Sequence, residues 1–107
     1  MIGEELIRIS LEAYRVHLVF EDTVLQIGAR FWVVRKDGTR FEVCPERRTG
    51  EVEVIWNLIG DRVQGVVWDD RIEIVFSSGS RIQIGAASRG QIRGTIADRK
   101  SMMVEDF

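Results

Sequence analysis

LVFEDTVLQIGA runs from Leu18 to Ala29, and IVFSSGSRIQIGA runs from Ile74 to Ala86. The chain says nearly the same thing twice, and how the two stretches are read decides the fold. Val16, Leu18 and Phe20 align with Ile72, Ile74 and Phe76, each 56 positions later, and the same spacing pairs Ile7 with Val63 and Leu11 with Val67. The second stretch has one more residue in its turn, after which LQIGA and IQIGA match again. An even spacing keeps the period-two parity of a strand, so side chains facing inward in one copy face inward in the other. An internal repeat over about 6–29 and 62–86 follows.

The alternation within each copy is that of strands with one buried face. Ile7, Ile9 and Leu11 alternate with Arg8, Ser10 and Glu12, and Tyr14, Val16, Leu18 and Phe20 alternate with Arg15, His17, Val19 and Glu21. Ile72, Ile74 and Phe76 repeat the pattern. Turn chemistry separates the strands at Glu21-Asp22, Asp69-Asp70 and Ser78-Gly79-Ser80. FWVVRKDGTRFEV reads as a hairpin turning at Lys36-Asp37-Gly38.

One segment has a different period. Val52, Ile55, Trp56 and Ile59 fall at i, i+3, i+4 and i+7, which predicts a short helix over 51–59 with one apolar stripe, widened by Val54 and Leu58 and capped by Gly60. A strand over VEVIW is the alternative, since β-branched residues are frequent there. Further on, QIRGTIAD and SMMVEDF are candidate strands and ASRGQ a loop. The expected fold is mainly β: two repeated antiparallel strand units in a layered sheet or roll, with one short helix, in a single domain over 1–107. One copy alone cannot bury its apolar face, so the two are expected to share a core.

These elements resemble a family of small bacterial proteins, frequent in actinomycetes and known only as a domain of unknown function. The resemblance rests on LVFEDTVLQIG, VVRKDGTRFEVCPE, WNLIGDRV and IEIVFSSGSRIQIG, which cover roughly Leu6 to Ile84. The sequence departs from the family in having no glycine in the first turn and in reading ASRGQIRG after the second strand pair. The resemblance implies a β-rich fold with one helix. It implies no activity, because none is established for the family.

Composition narrows the function classes. The 107 residues are 45% hydrophobic and 30% charged with a net charge of −2, which fits a globular domain and disfavours nucleic acid and anionic membrane surfaces as partners. Lys36 and Lys100 are the only lysines, so the basic character is almost all arginine, a residue suited to bidentate ion pairs and to interfaces. Cys44 is the only cysteine, which rules out an intrachain disulfide and suits a reducing compartment. The acidic start MIGEE lacks the pattern of a secretion signal. A cytoplasmic location is expected.

No catalytic, metal or cofactor-binding set is expected. His17 lacks the convergent partners that a general base or metal ligand needs. Cys44, before Pro45, reads as a half-buried hydrophobe rather than a nucleophile. Asp69, Asp70 and Glu73 offer a loose cation site at most, and a solvated turn is the plainer reading. Gly85, Gly90 and Gly94 do not form a phosphate loop. Arg35, Arg40, Arg47 and Arg48 with Trp32 sketch a basic-aromatic surface, against which the acidic balance of the chain counts.

FWVV and VVWDD place apolar residues on both parities of a strand. Either these strands are buried on both faces, or the outward face meets another protein. Trp32, Val34, Val66 and Trp68 are therefore the candidate interface. The expected function is a non-enzymatic protein-interaction module that binds a partner or a second copy as a homodimer. An immunity or regulatory protein that neutralises a toxin is one specific form of it. The alternatives are a small-ligand domain with a cavity between the repeat halves, and a small enzyme using His17.

Overall fold

The computed structural model describes residues 1–45, 53–86 and 91–107, and residues 49–50 by their backbone alone. The first half supplies β1 (Leu6–Leu11), β2 (Val16–Phe20), β3 (Thr23–Ile27), β4 (Phe31–Val34), β5 (Arg40–Cys44) and the two-residue β6 (Thr49–Gly50). After the helix α1 (Glu53–Trp56) come β7 (Val63–Trp68), β8 (Ile72–Phe76), β9 (Arg81–Ile84), β10 (Gly94–Asp98) and β11 (Val104–Asp106). One antiparallel sheet runs β1-β2-β3-β10-β11 and the other runs β6-β5-β4-β9-β8-β7. Their inner faces enclose one apolar core, and the radius of gyration of 12.7 Å is close to the ~13 Å of a single domain this long.

The path through the sheets is interlaced. Each three-stranded meander, β1-β2-β3 or β7-β8-β9, is followed by a hairpin that crosses to the other sheet. β4 pairs with β9, setting Phe31 opposite Ile84 and Val33 opposite Ile82. β10 pairs with β3 in the corresponding register, setting Gly94 opposite Ile27 and Ile96 opposite Leu25. Each sheet is thus completed by strands from the other half of the chain.

The meanders meet where their first strands begin. Glu5 and Arg62 form an antiparallel bridge. Around it Gly3 N–H donates to the Val63 carbonyl and Gly60 N–H to that of Leu6, while Leu6 N–H donates to Asp61 and Val63 N–H to Glu4. The side chains continue the correspondence. The Glu4 carboxylate accepts from Asp22 N–H and the Thr23 hydroxyl in the β2–β3 turn. The Asp61 carboxylate accepts from Ser78 N–H and the Ser77 and Ser78 hydroxyls in the β8–β9 turn. Counterparts along this stretch, such as Ile2-Gly3-Glu4 and Ile59-Gly60-Asp61, lie 57 positions apart.

That spacing corrects the 56-residue alignment of the first strands. Leu6, not Ile7, corresponds to Val63: Leu6 faces Phe20, and Val63 faces Phe76. In each pair the next register is displaced, between Leu6 and Arg8 and between Val63 and Gly65. The extra residue is a β-bulge, which reverses the parity on either side of it. Leu6 and Ile9 are consequently buried, whereas Ile7 and Leu11 are exposed. In the other expected inward rows Val16, Leu18 and Phe20 of β2 and Ile72, Ile74 and Phe76 of β8 are buried, whereas Tyr14, which precedes β2, is exposed.

The expected hairpins form with like turns. Arg35 N–H donates to Thr39 O and Gly38 N–H to Arg35 O, just as Phe76 N–H donates to Ser80 O and Gly79 N–H to Phe76 O. Gly38 and Gly79 have φ near +92° and +94°, a conformation that strains any residue with a Cβ.

The helix is shorter than expected and turns a different face inward. Glu51 and Val52 lie outside the described residues. Val54, Ile55 and Leu58 are buried, but Trp56 and Ile59 of the expected stripe are exposed. Beyond Trp56 the chain tightens: Leu58 N–H reaches Ile55 O and Ile59 N–H reaches Trp56 O. At three residues per turn, Ile55 and Leu58 share a side, and the 3.6-residue stripe no longer holds.

Glu4 makes stability depend on acid. Burial opposes its ionisation, but bonds from Asp22 N–H, the Met1 ammonium and the Thr23 hydroxyl outweigh burial and hold its pKa below the usual 4.5. Because the folded value is depressed, its contribution is complete above about pH 4.5 and is lost as pH falls through the folded value. In melting curves from pH 7 to 3, the gap in Tm between wild type and Glu4→Gln is expected to be widest near neutrality and to close below pH 4.5.

Candidate interaction surface

The candidate interface residues do not share a face. Strand pairing sets Trp32 beside Glu42 and Gln83 on the outward side of the second sheet, and sets Val66 and Trp68 opposite the buried Ile74 and Ile72 on its inward side. Trp68, though 41% exposed, packs edge-on against Phe107 with centroids 5.3 Å apart, closing one end of the core. Val34 shares the parity of Trp32 but is only 2% exposed, so it offers no surface to a partner. Of the four residues, Trp32 alone stands on the outward face with part of its indole exposed.

Arginines surround that indole. The guanidinium carbons of Arg30 and Arg40 lie 5.1 Å and 5.2 Å from the ring centroid, within cation–π range. Arg30 immediately precedes β4, and β5 carries Arg40 opposite Val34, so two adjacent segments converge on one ring. A groove of about 360 Å³ beside the indole is lined by Trp32, Arg40, Arg71, Glu73 and Gln83. Glu73 is already engaged by Arg81 at 3.5 Å and by the Gln83 amide at 3.0 Å. Among the described residues no carboxylate lies within 4.0 Å of the Arg30, Arg40 or Arg71 side chains.

A second recess of about 280 Å³ adjoins the indole, lined by Ala29, Arg30, Trp32, Gly85, Gln91 and Arg93. Arg93 precedes β10 and is 7% exposed. Its Nη1 donates to the carbonyls of Asp70 and Gly85 on the second sheet, while its backbone N–H donates to Phe107 O on the first. One residue thus ties the open ends of both sheets.

The remaining candidates are dispersed. His17 pairs with Ser10 and Gln26 in the first sheet, whereas Cys44 ends β5 in the second. Asp69 accepts a bond from Arg71 N–H, and Asp70 meets Arg93 through its carbonyl. Among the described residues no group of three His, Cys, Asp or Glu side chains is placed to hold a metal ion. Arg35 lies over Phe41, 4.8 Å from its centroid, away from Trp32. Arg47, Arg48 and Gly90 lie outside the described residues. No helix among the described residues is long and apolar enough to cross a membrane.

Arg30, Arg71 and Arg93 were not singled out from sequence. Arg30 was within reach of such reading, since it stands two residues before Trp32 on the same strand parity. Arg93 was not, because its neighbours come from three distant segments. No family model matches the chain, and neither a curated protein nor a solved structure matches it.

Proposed function

We propose that the protein is a non-enzymatic interaction module whose outward second-sheet face binds an acidic segment of a partner protein. One observation carries this reading: Trp32 stands on that face beneath two guanidiniums that no carboxylate of the described residues neutralises. Trp and Arg are the residues most enriched among binding hot spots, and Arg pairs with carboxylates in bidentate fashion. A foreign acidic partner is favoured over a second copy, since an isologous contact sets like charges against each other. The ligand-cavity alternative needs open space between the halves, where Phe20 and Phe76 instead stack with centroids 6.5 Å apart. We also read β1–β5 and β7–β11 as copies of one unit. The resemblance to the bacterial family adds no activity, and the lone cysteine suits work in the cytoplasm.

The test is affinity capture from host extract with wild type and Trp32→Ala of matched Tm. The wild type is expected to hold one stoichiometric acidic partner, with recovery reduced about ten-fold or more by the substitution. Equal recovery by both proteins, or none by either, refutes the reading.

A further inference from the structure

The Arg93 guanidinium is buried without an ion-pair contact. Among the described residues no carboxylate lies within 4.0 Å of its guanidinium nitrogens, and its Nε has no hydrogen-bond partner. Two backbone carbonyls hold Nη1, and the Phe107 ring lies 5.8 Å from the guanidinium carbon. Carbonyl dipoles and a ring face offset part of the cost of burying a cation, but full compensation needs an anion. Nε itself is sealed, so the atoms of Arg93 that line the recess are the ones an anion can meet.

The recess supplies the place. Arg93 and exposed Arg30 both line it, and the Trp32 indole forms part of its wall. We propose that this recess is a carboxylate pocket, taking a glutamate or aspartate side chain from the acidic segment that docks on the Trp32 face. The inference rests on the interaction reading and deepens it. Arg93 is the fixed charge, held by Asp70 O and Gly85 O so that little side-chain entropy remains to be lost on binding. Arg30 supplies the free donors at the rim. A carboxylate suits this pair because the Arg30 fork matches its two oxygens while Arg93 adds a fixed positive charge.

The probe is a capped ten-residue glutamate peptide at low salt, followed by the NMR signals of the Trp32 indole N–H and the Arg93 Nε–H. A capped ten-residue glutamine peptide and inorganic phosphate are the controls. The glutamate peptide is expected to shift both signals saturably and the glutamine peptide neither. Arg93→Gln, checked for an intact spectrum, is expected to weaken binding about ten-fold or more. Should that variant not fold, Arg30→Gln on the exposed rim carries the same expectation. Shifts at Trp32 that neither substitution weakens overturn the pocket and leave the interaction face standing. Shifts with phosphate but not with the glutamate peptide overturn the carboxylate assignment. No shift with any probe overturns the pocket, and the Trp32→Ala capture then judges the face by itself.

Discussion

Gly94→Ala is expected to unseat the β10–β11 hairpin and to lower stability by about 3 kcal/mol or more. A Cβ at this position would lie 2.0 Å from the Gln26 carbonyl oxygen and 2.7 Å from Cζ of Phe107. The first atom belongs to the backbone of β3, which is paired on both sides by β2 and β10 and cannot retreat without breaking the sheet. The second lies on the ring that Trp68 packs against. Gly94 corresponds in register to Phe31 of the other half, whose ring fills the core itself; here Phe107 takes that space. Gly65→Ala is the matched control. Nothing lies within 4 Å of its Cβ position, and its φ is not positive, so a neutral effect or a gain of up to about 1 kcal/mol is expected. Thermal melts of both variants, with hydrogen exchange at Thr95, Ile96 and Ala97, make the comparison. A wild-type melt for Gly94→Ala would mean that β10 is not seated on β3.

Phe76→Ala is expected to cost about 3–5 kcal/mol, a large part of the 5–15 kcal/mol that holds a typical domain together. Phe76 and its counterpart Phe20 are wholly buried and stack across the sheets at an interplanar angle of 19°. Truncating either leaves a void between layers, which the paired strands around it cannot close. Each kcal/mol lowers Tm by roughly 4–8 °C in a domain of this size, so the fall should exceed about 10 °C. A double-mutant cycle with Phe20→Ala is expected to show a coupling of about 0.5–1.5 kcal/mol, the range for aromatic pairs in contact. Additive losses would show that the rings do not meet.

Much of the fold was legible because it is local. Alternation placed the inward rows of β2 and β8, and the glycines of RKDGT and FSSGS marked the turns. The helix misled because its stripe assumed one period throughout, while the chain changes to three residues per turn after Trp56. Of the face proposed for binding, the sequence singled out Trp32; its grouping with Trp68 does not hold, because parity puts the two on opposite sides of one sheet.

By itself the sequence determined a mainly β domain, the positions of its tight turns and the parity of its core rows in β2 and β8, since side-chain period and turn chemistry act over a few neighbouring residues. The tertiary structure alone decided that each hairpin crosses to the other sheet, that a bulge follows both Leu6 and Val63, and that Arg93 reaches the carbonyls of Asp70 and Gly85. These features depend on pairing between segments far apart in the chain, where the partner strand and the burial it completes, rather than local preference, set the register.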